Sequence, residues 1–162
     1  SWSLVSNSTI NSRMGGNPTA VEMAVGRSNN IFVAVCPTGA LQGLYRSGNG
    51  GGSWQTMDLP QIHPGQQARY HLSIVADPTN ANIVYVGGDR QANINGQYGN
   101  TNWTGNLMRC NASSGSGSQC AHLTHDRNRG PAGGGTASNS APHADSRDMT
   151  FDANGDRRMA CG

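Results

Sequence analysis

The sequence predicts an all-β chain of four-stranded antiparallel meanders, the usual content of one propeller blade, on two observations. No window carries the sustained i, i+3, i+4 apolar stripe of an amphipathic helix, whereas short β-branched and aromatic runs recur between clusters of turn residues. The order strand, Asp/Asn-rich turn, strand, longer connection, strand, glycine-serine hairpin, strand then occurs twice and begins a third time.

In the first unit, residues 20–58, AVEMAVG and IFVAVC flank the turn RSNN, and GLYRSG meets SWQTMDL across a glycine-rich hairpin. In the second, residues 70–124, LSIVAD and IVYVGG flank PTNAN, and NLMRC and CAHLT flank NASSGSGSQ. The third, residues 147–162, offers only DMTFD and RRMACG. The insertion RQANINGQYGNTNWTG lengthens the second unit, and Ser1-Trp2 looks like the tail of a preceding hairpin, matching Ser53-Trp54. The whole is read as one domain, 1–162, holding about two and a half blades. Propeller rings close with more blades than that. The chain is therefore expected to be part of a longer protein or to complete a ring with copies of itself, because an unclosed array exposes strand edges.

Composition narrows the function. Charged residues make up 12% and Gly numbers 23 without a strict period, which suits a turn-rich β domain and neither a disordered nor a collagen-like chain. All eleven basic residues are Arg, so a Walker-type phosphate loop and Schiff-base chemistry, which need lysine, are excluded. The arginines are scattered and lack interleaved aromatics, and the net charge is only +2, so nucleic acid is not an expected partner. The longest apolar runs are too short to span a bilayer. Four cysteines (Cys36, Cys110, Cys120 and Cys161) form no C-x-x-C pair. A disulfide between Cys110 and Cys120 would close a hairpin loop and contribute about 2–3 kcal/mol in the chain-entropy model. Sequons at Asn7, Asn102 and Asn111 point the same way, toward a secreted or cell-surface protein.

The hairpin Ser47-Gly-Asn49-Gly-Gly51-Gly-Ser53-Trp54 resembles the Asp box, Ser-x-Asp-x-Gly-x-Thr/Ser-Trp, of sialidase-like (BNR-repeat) β-propellers, with Asn49 in the Asp position. Its logic is local: Asn49 can bond neighbouring amides, Gly51 permits positive φ, and Trp54 is expected to tuck under the blade. In the second unit Cys120 stands at the Trp54 position, and closure by Cys110–Cys120 would replace the indole. IVADPTNANIVYVGG and APHADSRDMTFD also resemble phrases of these repeats, so the resemblance covers most of residues 20–162. It implies a fold shared by glycosidases, receptors and assembly factors, and leaves function open.

The strongest candidate site is Pro142-His143-Ala-Asp145-Ser-Arg147-Asp148. His143 and Asp145 alternate by two and would share a side, a proton or a metal. The structural reading comes first: a buried ion-pair and hydrogen-bond network of Asp145, Arg147 and Asp148 that ties blades together. His71, preceded by Arg69-Tyr70, is expected to open an inner strand. His63, His122 and His125 complete the histidine set; His122-x-x-His125 could supply two ligands to a transition metal, but i, i+3 spacing suits a helix and this segment reads as a strand end. No cofactor is expected; calcium suits the oxygen donors of DPTNAN and DANGD better than a transition metal would, but DANGD lacks the closing glutamate of an EF-hand loop and reads as a hairpin turn. Asp89, Asp145 and Asp148 are the carboxylates a glycosidase would draw on. Glu22 is set aside because it sits among apolar residues of a strand. A sialidase would need an arginine triad and a Tyr–Glu pair, and its Phe/Tyr-Arg-Ile-Pro phrase is absent. No serine-hydrolase elbow is in frame. The expected function is a binding or structural module, self-assembling or part of a longer chain and taking glycans as ligand; the alternative is a fragment of a glycoside hydrolase.

Overall fold

The computed structural model describes residues 4–90, 105–124 and 143–161. The chain is mostly β, in two antiparallel four-stranded sheets and a hairpin. The first sheet runs β1 (Ala20–Val25), β2 (Ile31–Cys36), β3 (Gly43–Ser47) and β4 (Gln55–Thr56), hydrogen-bonded in that order. The second repeats it with β5 (Ser73–Ala76), β6 (Ile83–Arg90), β7 (Gly105–Asn111) and β8 (Cys120–His122). β9 (Ser146–Phe151) and β10 (Arg157–Cys161) form the hairpin. β1 packs against β5 and β5 against β9, so the leading strand of each unit lies beside the next.

Alternation along β6 explains how the layers stack. Val84 and Val86 face the first sheet, where they meet Phe32, Ala34 and Leu44. Ile83 and Tyr85 face the other way, toward Met149 and Phe151, with the Tyr85 and Phe151 rings edge to face at 5.7 Å. A strand covered on both faces reads as a continuous apolar run, which is what IVYV is. The turns behave as their residues dictate. Ser28 and Asn29 adopt positive φ between β1 and β2. Between β5 and β6, Asp77 Oδ1 accepts from the amides of Thr79 and Asn80 and the Thr79 hydroxyl, while Oδ2 accepts from the Tyr85 hydroxyl.

The two sheets are also clasped at their outer ends. Asp58, just past β4, accepts hydrogen bonds from the amides of Gly117 (3.0 Å) and Gln119 (2.9 Å) in the β7–β8 loop, and Gln119 Oε1 accepts from the Asp58 amide. The expected disulfide joins Cys110 to Cys120, which face each other across β7 and β8, and so holds this loop. The loop amides keep the Asp58 pKa below its ordinary value. A carboxylate with a depressed folded pKa stabilises above its unfolded pKa and loses that contribution as pH falls through the folded one. Asp58→Asn should therefore flatten the acid limb of a Tm-against-pH profile; a limb unchanged from the parent would refute the clasp's role.

Two helical segments depart from the all-strand expectation. α1 (Ser8–Met14) is capped by Asn7, whose Oδ1 accepts from the Ile10 amide at 2.9 Å, and it lays Ile10 and Met14 on Val35 and Tyr45. Seven residues with one buried apolar side chain are too few to register as a stripe. α2 (Ala68–His71) is a single turn, so His71 ends a helix instead of beginning a strand; β5 starts at Ser73. SWQTMDL contributes only Gln55–Thr56 as strand. Ser1, Trp2, Asn102, His125 and the insertion at 91–104 lie outside the described residues, as does the side chain of Cys161. Cys36 is a buried free thiol whose pKa burial pushes up to about 12, with Glu22 adding to the rise.

Candidate functional site

Three segments distant in sequence converge at one end of the second sheet: the loop at 60–67 leading into α2, the end of β6, and the approach to β9. They are drawn together by close backbone packing at Gly88. A Cβ there would collide with the carbonyl of Ile62, and the neighbouring Asp89 amide donates to that same carbonyl at 2.9 Å. Asn106 on β7 reinforces the seam by donating to the Gln61 carbonyl at 2.9 Å.

Within this convergence, Asp89 is almost fully buried. Its Oδ2 accepts from the amides of Gly65 and Gln67, and its Oδ1 from that of Arg90. Burial nonetheless raises its pKa, outweighing the amides that favour the charged form. The Asp89 carbonyl accepts from the Asp145 amide at 3.1 Å, which places the Asp145 side chain against α2. There His71 Nε2 lies 3.6 Å from Asp145 Oδ1. The His71 side chain is 7% exposed and that of Asp145 20%, so Asp145 is the member a ligand can reach and His71 stands behind it. His71 Nδ1 is buried without a hydrogen-bond partner. Next to it His63 accepts from the Leu41 amide at Nδ1 and donates from Nε2 to the His71 carbonyl, a pattern only the neutral Nε2–H tautomer satisfies. Burial holds its pKa down to about 4, so His63 is a neutral wedge. It lines a cavity of about 340 Å³ with Leu41, Pro60 and Ile62.

The remaining candidates separate. His143 is exposed and its Nδ1 contacts the adjacent Ala144 carbonyl. Asp145 has φ of +74°, which breaks the extended alternation expected to set it beside His143. Arg69 is exposed, its guanidinium 5.6 Å from the Tyr70 ring centroid. Arg147 and Asp148 are also exposed, and among the described residues no ion pair joins them to Asp145. The tie between β5 and β9 is made instead by the Ser73 and Ser146 hydroxyls, which share a hydrogen bond. Asp148 does meet a carboxylate that sequence reasoning set aside. Partial desolvation and then the Asp148 charge raise the Glu22 pKa, so β1 and β9 bring two acids within electrostatic reach. Nothing in their spacing, 126 positions apart in the numbering, signals this. His122 is buried at the end of β8. Asp77 and Asp152 bind amides of their own turns, and among the described residues no cluster of three His, Cys, Asp or Glu side chains is arranged to hold a metal.

The Asp-box hairpin is a closed local network. Ser47 Oγ donates to Asn49 Oδ1 and accepts from the Gly51 amide, Asn49 Oδ1 also accepts from the Ser53 amide at 2.8 Å, and Gly51 has φ of +96°. Asn49 Nδ2 donates to Ser53 Oγ, a bond that aspartate would make in the opposite sense by accepting from the hydroxyl. Trp54 is half-buried beside Tyr45, and its indole N–H donates to the Val5 carbonyl at 2.7 Å. Asn49→Asp is expected to leave stability within about 0.5 kcal/mol, and Asn49→Ala to cost about 1–2 kcal/mol by removing the acceptor of the Ser53 amide and the Ser47 hydroxyl. Urea denaturation decides; equal losses would refute the local network.

The sequence matches no family model and no curated protein. A crystal structure described as that of an ancestral GH74 enzyme is similar at a TM-score of 0.36 and 22% identity. The match covers 86% of this chain and 15% of that one. At that score the likeness assigns neither fold nor activity.

Proposed function

We propose that the chain supplies successive blades of a sialidase-like β-propeller that serves as a secreted or cell-surface binding and structural module, with the end of the second sheet around Asp145 as its ligand-facing site. The carrying observation is the repeated strand order β1-β2-β3-β4 and β5-β6-β7-β8, with leading strands side by side and a hairpin continuing the series. Self-assembly, or packing against further blades, is supported by the outer face of the first sheet, where Val21, Met23 and Val25 are 41%, 62% and 67% exposed. The His71–Asp145 pair and the half-open cavity beside His63 suit recognition of a hydroxyl-rich ligand such as a glycan. Among the described residues no helix is long and apolar enough to cross a membrane.

A second function, as part of a glycoside hydrolase, draws on one observation: partial desolvation and then the Asp148 charge raise the Glu22 pKa, so two acids lie within electrostatic reach of each other. Light scattering across a concentration series, a glycan-binding panel and a hydrolysis panel separate the two. The binding module predicts glycan retention without turnover, weakened at least tenfold by Asp145→Asn. Turnover abolished by Asp148→Asn or Glu22→Gln would overturn it in favour of the hydrolase.

A further inference from the structure

Three sequons are equal in sequence, but the structure does not treat the two it describes alike. Asn7 uses its side-chain oxygen to cap α1, and the rest of its sequon, Ser8 and Thr9, lies in the helix. Asn111 ends β7 and begins the exposed β7–β8 loop. There the hydroxyl of Ser113, two residues on, donates to Asn111 Oδ1 at 2.7 Å, and the Ser113 amide donates to the same oxygen at 3.0 Å. The Ser114 amide closes the turn onto the Asn111 carbonyl at 3.1 Å. Both donors polarise the amide oxygen and so make an Nδ2 proton easier to remove, while among the described residues Nδ2 donates to no other group. These bonds lie within residues 111–114, so the segment can form them before the sheet is complete.

We propose that Asn111 is a site of N-linked glycosylation, an assignment that rests on the secreted or cell-surface character proposed above. In the transfer, Nδ2 attacks the anomeric carbon of a sugar carried on a lipid pyrophosphate. The bond from that carbon to the phosphate oxygen breaks, the pyrophosphate leaves with the electron pair, and the amide proton passes to a carboxylate base of the transferase. The hydroxyl of Ser113 is the positioning group, and threonine would serve in its place. The clasp places the attachment point beside the disulfide and the Asp58 contact, at the outer end of the sheet and away from Asp145.

The test is to express the full chain behind a secretion leader in a cell with N-glycosylation and to map peptides after enzymatic deglycosylation in heavy-oxygen water. The expected result is conversion of Asn111 to labelled Asp, lost in Ser113→Ala and retained in Ser113→Thr. An unmodified Asn111 peptide from the secreted protein, or modification that survives Ser113→Ala, would overturn the assignment. Because the leader supplies the compartment, this outcome is independent of whether the natural protein is exported, which fractionation of its source decides separately.

Discussion

Gly88→Ala is expected to lower stability by about 3 kcal/mol, the upper end for overpacking, because the added methyl meets backbone and not the end of a flexible side chain. The methyl would strike the Ile62 carbonyl and lie 2.7 Å from the Ile62 Cβ. Relief requires the 60–67 loop to lift from β6, which breaks the Asp89 amide bond to Ile62 and the Asn106 bond to Gln61. Since domains of this size have about 5–15 kcal/mol in total, the loss is a large fraction. It is also directed: His63, His71 and Asp89 are held by that loop, so binding at the ligand site proposed around Asp145 should fall before global unfolding does. Gly16→Ala is the control, since nothing lies within 4 Å of its Cβ position. Urea midpoints for the two variants decide; indistinguishable midpoints would show that the seam yields freely.

Removing the disulfide with Cys110→Ala/Cys120→Ala is expected to cost about 2–3 kcal/mol from loop-closure entropy. The structure adds a coupling that this entropy does not contain. The loop closed by the disulfide carries the amides that bind Asp58 of the first sheet, so loosening it also weakens a contact between sheets. In a double-mutant cycle, Asp58→Asn should then cost less in the disulfide-free protein than in the parent, by about 0.5 kcal/mol or more. Additivity would mean that the loop keeps its shape without the covalent bond. Denaturation of the parent with and without a dithiol reductant gives the first measurement.

The sheets were legible because their signals are local. IFVAVC and IVYVGG announce strands by β-branching, and DPTNAN and SGNGGGSW announce turns by the residues that tolerate or cap them. The Cys110–Cys120 disulfide was legible for the same reason: the two residues border one hairpin. α1 escaped because its stability comes from Asn7 at one end and from Val35 and Tyr45 beneath it, not from a stripe of its own. His143 and Asp145 were expected to act together on period-two spacing, and a single positive φ undid that inference.

The sequence by itself determined the class of the chain, the order of its strands and its hairpin chemistry. Each follows from bonds and sterics between residues a few positions apart. Only the tertiary structure decided that Asp145 meets His71 and takes its amide contact from Asp89, that Glu22 feels Asp148, and that Arg147 stands apart. Those relations depend on which strand lies beside which and how closely two backbones approach at Gly88, and no spacing along one chain encodes a distance across two sheets.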